Sequence, residues 1–199
     1  MSVEAGAGGW RAAGLAALLA EQAGRTGEAF EQAEGALAQM PPGQTSPGSM
    51  RLLALFARAR QRAIGKAYQG GAALEPAWIT DVHAAYEVLA AHPSGTPEQA
   101  AMHFDFLRWF GAGAVADRVL DRAIARFPEA WILHDRLRAR ILTESGAEGL
   151  EAAYLDVLER AGASPNLAWF AGYTSIVSAE FHRRGRRPAE ARAAYEKLT

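Results

Sequence analysis

Five histidines, His83, His92, His103, His134 and His182, are the only side chains in this 199-residue sequence suited to metal ligation or general-base work near neutral pH. There is no cysteine, which excludes disulfides, thiolate nucleophiles and cysteine-based zinc or iron–sulfur sites. Along the chain no two histidines stand at ligand spacing. His103-Phe104-Asp105 and His134-Asp135 put a carboxylate close to an imidazole, yet adjacent helical residues point about 100° apart and rarely share a site. The histidines are therefore expected to be partly exposed or capping groups. The sequence holds no glycine-rich phosphate loop, zinc-protease motif or nucleophile elbow. The expectation is a non-catalytic protein with no metal and no cofactor.

Residues suited to recognition are more prominent. Arg51, Arg58, Arg62 and Lys66 recur at steps of 7, 4 and 4, with no acidic residue between 51 and 68. Such a basic stripe would attract an acidic protein tail, RNA phosphates or anionic lipid. The competing reading is a solvated outer face, or pairing with the glutamates of the helix at 27–39. The cluster His182 to Arg187 (HRRGRR) reads as helix termination, because cations complement a helix C-terminus. Phe104, Phe106, Trp109 and Phe110 read as core packing of a central helix. Trp131 is followed by Asp135 and Arg138, and Trp169 by Tyr173 and Ile176, one and two turns on. That mixture of aromatic and polar character suits a groove for a peptide.

The elements that must position these residues are helices. Half the residues are hydrophobic, the formal net charge is −1, and alanine, leucine, arginine and glutamate dominate without alternating β-branched runs. Helices are expected at about 9–23, 27–39, 49–68, 76–91, 97–110, 114–127, 130–143, 147–162, 165–183 and 188–198. Thr96-Pro97-Glu98-Gln99 has the residues of a capping box, Ser145 with Glu148 repeats them, and Ser164-Pro165 is a cap followed by a tolerated proline. Gly24, Gly111, Gly146 and Gly185 mark short reversals. Residues 41–48, rich in proline and glycine, read as a linker between a first hairpin at 1–40 and the main array at 49–199.

The most specific signal is internal. Gly24, Ala29, Ala36 and Pro41 stand at the same spacings, 5, 7 and 5, as Gly111, Ala116, Ala123 and Pro128. The same helix can be followed through Val82, Tyr86, Leu89; Ala116, Leu120, Ala123; Tyr154, Leu158, Ala161; and Ala191, Tyr195, Leu198, whose starts are 34, 38 and 37 residues apart. Trp131 and Trp169, 38 apart, mark equivalent points on two first helices. This order of glycine, small, small and proline resembles the second half of a tetratricopeptide repeat, whose period is about 34 residues. The resemblance covers nearly the whole chain. It implies an all-α, antiparallel helix-hairpin solenoid of about five hairpins, with first helices lining a concave face. Half-repeat (HAT-like) arrays of RNA-processing proteins are similar through their tryptophans and helix-ending prolines.

The resemblance further implies a scaffold that holds a partner protein or peptide on its concave face, near Trp131, Asp135, Arg138, Trp169, Tyr173 and Ile176. The runner-up is an RNA-processing-type module binding anions or nucleic acid through Arg51, Arg58, Arg62 and Lys66. The asparagine and lysine clamp for C-terminal carboxylates is not supported, since the chain has one asparagine, Asn166. A soluble, cytoplasmic protein is expected. Ala12 to Ala20 is apolar and follows Arg11, as a secretory signal would, but Glu4 and Glu21 flank it and it fits the buried stripe of a first helix. The last helix is expected to leave an edge that further repeats or self-association would cover.

Overall fold

Helix boundaries follow the chain's own side-chain oxygens, prolines and glycines. The computed structural model describes residues 5–161 and 165–196, with side chains described for 9–150, 152, 153, 170 and 172–196. Among the described residues the secondary structure is helical, with no strand: α1 (Ala5–Gln22), α2 (Thr26–Gln39), α3 (Pro47–Gln69), α4 (Pro76–Ala91), α5 (Pro97–Trp109), α6 (Gly113–Arg126), α7 (Trp131–Ala161), α8 (Pro165–Arg184) and α9 (Pro188–Glu196). At the start of α5 the Thr96 hydroxyl accepts from the Gln99 amide while Gln99 Oε1 accepts from the Thr96 amide, which satisfies two donors that lack intrahelical partners. At α3 the Ser46 hydroxyl accepts from the Ser49 amide, so the helix begins at Pro47, inside the segment expected to be linker.

The two halves of the internal match have matching local structure. Gly24 and Gly111 take φ of +74° and +75°, a backbone region where a Cβ is strained, and each is followed two residues later by a helix. Ala29 and Ala36 of α2, and Ala116 and Ala123 of α6, are buried. Pro41 and Pro128 each stand immediately after the residue that caps the helix. Gly146 (φ +65°, ψ −172°) interrupts α7, so the expected helices at 130–143 and 147–162 meet at one non-helical residue. Gly185 lies in the turn after α8, as expected, and the residue that takes the left-handed conformation there is Arg186 (φ +57°). The Ser164 cap, and Tyr154, Leu158, Ala161 and Leu198 as apolar positions, lie outside the described residues or side chains.

The chain divides into two compact units, residues 1–111 and 112–199. Within each, helices pack chiefly on their neighbours in sequence. In the first unit Leu52, Leu55, Ile64, Val82, Tyr86 and Phe106 belong to one core shared by α3, α4 and α5, with small residues of α1 and α2 packed on it. Each fully buried aliphatic side chain contributes about 1.5–3 kcal/mol. In the second unit Val119 and Leu120 of α6, Leu133, Leu137 and Ile141 of α7, Phe170 and Ala179 of α8, and Ala191 and Ala194 of α9 are buried. Arg140 of α7 reaches Asp117 and Asp121 of α6 at 3.3 and 3.5 Å. α9 is tied to α8 by the Tyr195 hydroxyl donating to Glu180 at 2.6 Å. Hydrogen bonds from Arg183, then from Tyr195, hold the Glu180 carboxyl down at about 2.

One charge sits inside the first core. Arg60 falls at the apolar phase of α3, between Phe56 and Ile64, and is only 8% exposed. Its guanidinium lies 4.8, 5.4 and 5.1 Å from the ring centroids of Phe30, Phe56 and Trp78, and it pairs with Glu34 of α2. Glu34 is half-exposed, so water retains part of its carboxylate. Glu34→Ala therefore strands a buried cation and is expected to destabilise the protein by about 2 kcal/mol, whereas Arg60→Met removes the cation and is expected to cost less. Urea denaturation followed by tryptophan fluorescence checks this, and the opposite ranking would refute it.

Candidate functional site

In the second unit the sequence-selected residues of α7 and α8 come together around a buried arginine. Trp131 and Arg138, seven residues apart, share one face of α7. Arg138 is 2% exposed, and its Nη2 donates to Asp135 one turn back. Its guanidinium carbon lies 5.0 Å from the Trp131 ring centroid and 4.6 Å from that of Tyr173 on α8. The two rings are 4.9 Å apart and tilted by 52°, with Phe170 4.8 Å from Trp131 beneath them. Cation–π attraction and desolvation together hold both rings in fixed orientations. Their outer faces meet solvent: Trp131 is 42% exposed, Tyr173 36%, and Ile176, one turn along α8, 38%. Trp169 belongs to α8, but its side chain lies outside the described residues.

His134 supports this cluster from below. It is fully buried, stacks on Phe170 at 4.2 Å, and its Nε2 lies 2.6 Å from the Pro128 carbonyl. A carbonyl only accepts, so Nε2 carries the proton. Burial lowers the pKa from its ordinary 6.5, the Pro128 bond opposes that, and the Arg138 charge lowers it further. His134 is thus held neutral, and its neighbour Asp135 pairs with Arg138.

The basic stripe of α3 is partly paired. Arg58 is paired with Glu21 of α1 at 2.8 Å, while Arg51, Arg62 and Lys66 are exposed. Pairing with a glutamate of α2, expected of the stripe, is made by Arg60 instead. Arg62 and Lys66 border a cleft of about 250 Å³ floored by Ala29, Phe30 and Leu55. Arg60 was recognisable as a charge at an apolar phase, but its aromatic walls come from three helices.

The histidines depart most from expectation. His92 behaves as a local terminator, with Nδ1 2.6 Å from the Ser94 hydroxyl and Nε2 3.0 Å from the Thr45 carbonyl. His103, His134 and His182 are instead buried. His83 of α4 and His103 of α5, far apart in sequence, are brought to 2.8 Å, with Glu87 beside them. Spacing along the chain missed this grouping because a helix hairpin assembles it.

Comparison with protein-family models, curated proteins and solved structures finds no match to the chain. No helix among the described residues is long and apolar enough to cross a membrane.

Because the folded pKa of His134 is depressed, the unfolded chain binds a proton there that the folded chain refuses. Its contribution to stability is complete above the ordinary pKa of 6.5 and falls as the pH drops below it, toward the folded value. Wild type is expected to lose more stability between about pH 8 and about pH 5 than His134→Gln. Urea midpoints across that range measure the difference, and identical pH slopes would show that His134 titrates normally.

Proposed function

We propose that this chain is a non-catalytic, tetratricopeptide-like helical array that holds a partner protein or peptide on the surface formed by Trp131, Tyr173 and Ile176. The observation that carries this reading is the pair of half-exposed aromatic rings held by the buried Arg138. Ordering a free side chain at an interface costs about 0.5–1.5 kcal/mol, and these rings are already ordered. Tryptophan, tyrosine and arginine are also the residues that most often dominate interface energetics. The surface offers two ring faces and an aliphatic side chain, while the nearby charges of Asp135 and Arg138 are engaged with each other. The partner it suits presents an apolar anchor, aliphatic or aromatic, on a helix or an extended segment.

Peptide display against the full chain tests the reading. Selected peptides are expected to carry an apolar anchor and to change Trp131 fluorescence. The pair Trp131→Ala, Tyr173→Ala is expected to weaken them by at least about 2 kcal/mol, roughly thirtyfold in Kd, with helicity retained. Arg62→Gln with Lys66→Gln should leave peptide affinity unchanged. The RNA-processing-type alternative predicts the reverse: RNA retained with steep salt dependence and lost in the Arg62, Lys66 pair. Unchanged peptide affinity in the aromatic pair would remove the surface from consideration.

A further inference from the structure

The α4–α5 hairpin gathers His83, Glu87 and His103 at one point of the first unit. We infer that these three side chains form a binding site for a divalent first-row transition-metal ion, for which Zn²⁺ and Co²⁺ serve as probes. His83 and Glu87 are four residues apart on α4 and therefore share a face. His103 faces them from α5. His83 Nδ1 and His103 Nε2 are 2.8 Å apart, His103 Nδ1 is 3.9 Å from Glu87 Oε1, and one donor atom from each residue lies within 4.8 Å of the other two.

The donor set selects the class of ion. Two imidazole nitrogens and one carboxylate oxygen suit zinc and its neighbours, which bind nitrogen at about 2.0–2.1 Å. Calcium and magnesium require about six or more oxygen ligands and are poorly served here. Tetrahedral bonding at those lengths sets the two nitrogens about 3.3 Å apart. The imidazoles must then separate by about half an ångström from their present hydrogen bond, and the shared proton moves to the other ring nitrogen of the donor, so that both rings ligate as neutral imidazoles.

The surroundings allow that adjustment on one side only. His103 is 1% exposed and stacks on Tyr86 at 5.2 Å with the rings 20° apart. The Tyr86 hydroxyl donates to Gln61 of α3 at 2.9 Å, and burial pushes its pKa up to about 12, so it remains a neutral donor. His83 and Glu87 are only half-buried and can turn toward an ion arriving from solvent. The site thus has one fixed buried ligand, two adjustable ones, and a fourth position left for water.

The test is a cobalt titration of the full, untagged chain after metal removal. One equivalent of Co²⁺ is expected to give the visible bands of a four- or five-coordinate ion, and one equivalent of Zn²⁺ to abolish them. His83→Ala and Glu87→Gln should each weaken binding at least about tenfold, and Zn²⁺ should raise the Tm of wild type but not of His83→Ala. His92→Ala, outside the cluster, should bind as wild type does. Glu87→Gln keeps its shape and helical propensity, so it decides the question if His83→Ala fails to fold. Absence of cobalt bands, unchanged affinity in Glu87→Gln, or an equal loss in His92→Ala would overturn the site and leave a simple hydrogen bond between two imidazoles.

Discussion

A guanidinium can be buried only where its charge has a partner and its flat faces have walls, and both units of this protein contain such a place. Taking the cation out of water is costly, and the cost is offset only when carboxylate and aromatic contacts are all present together. Arg60 needs Phe30 and Glu34 from α2, Phe56 from its own helix and Trp78 from α4. Shifting any of those helices by one residue would remove a wall or the counter-charge. Arg138 makes the same demand on α7 and α8 through Trp131, Tyr173 and Asp135. An apolar core tolerates repacking, but these two charges do not, so they specify which helix faces meet.

The two arginine boxes differ in a way that separates packing from recognition. Around Arg60, Phe56 is buried, and Phe30 and Trp78 pack partly buried against the core. Around Arg138, Trp131 and Tyr173 keep ring faces in solvent. An aromatic wall serves burial just as well when covered, so exposure of the second pair is not explained by the stability of Arg138. That excess exposure is what makes the second box, and not the first, the candidate for holding a partner.

Polar groups elsewhere in the core follow the same economy of satisfied contacts. Tyr86 stacks on His103 while its hydroxyl bonds Gln61, and His134 stacks on Phe170 while its Nε2 bonds a carbonyl. Each ring is apolar on its faces and polar only at its edge, which lets it fill a helix interface while its donor finds a local acceptor. Beside His134 the carboxylate of Asp135 is paired with Arg138, whereas beside His103 stand the half-buried His83 and Glu87.

Local physics was legible from the residues alone. The Thr96 capping box, the left-handed Gly24 and Gly111 and the buried alanines that follow them depend on interactions within a few positions, and all stand where their spacing indicated. Part of the proposed surface was legible for the same reason, because Trp131, Asp135 and Arg138 recur at helical intervals on one helix. The Ser46 start of α3 was hidden inside a proline- and glycine-rich stretch whose composition resembles a loop. The tertiary structure alone decided that Arg60 would be buried, that Arg58 would turn to Glu21, and that His83 would meet His103. Those outcomes turn on which faces of separate helices touch. Helical periodicity assigns a residue to a face, and the neighbour that face acquires is set by the packing of the whole unit.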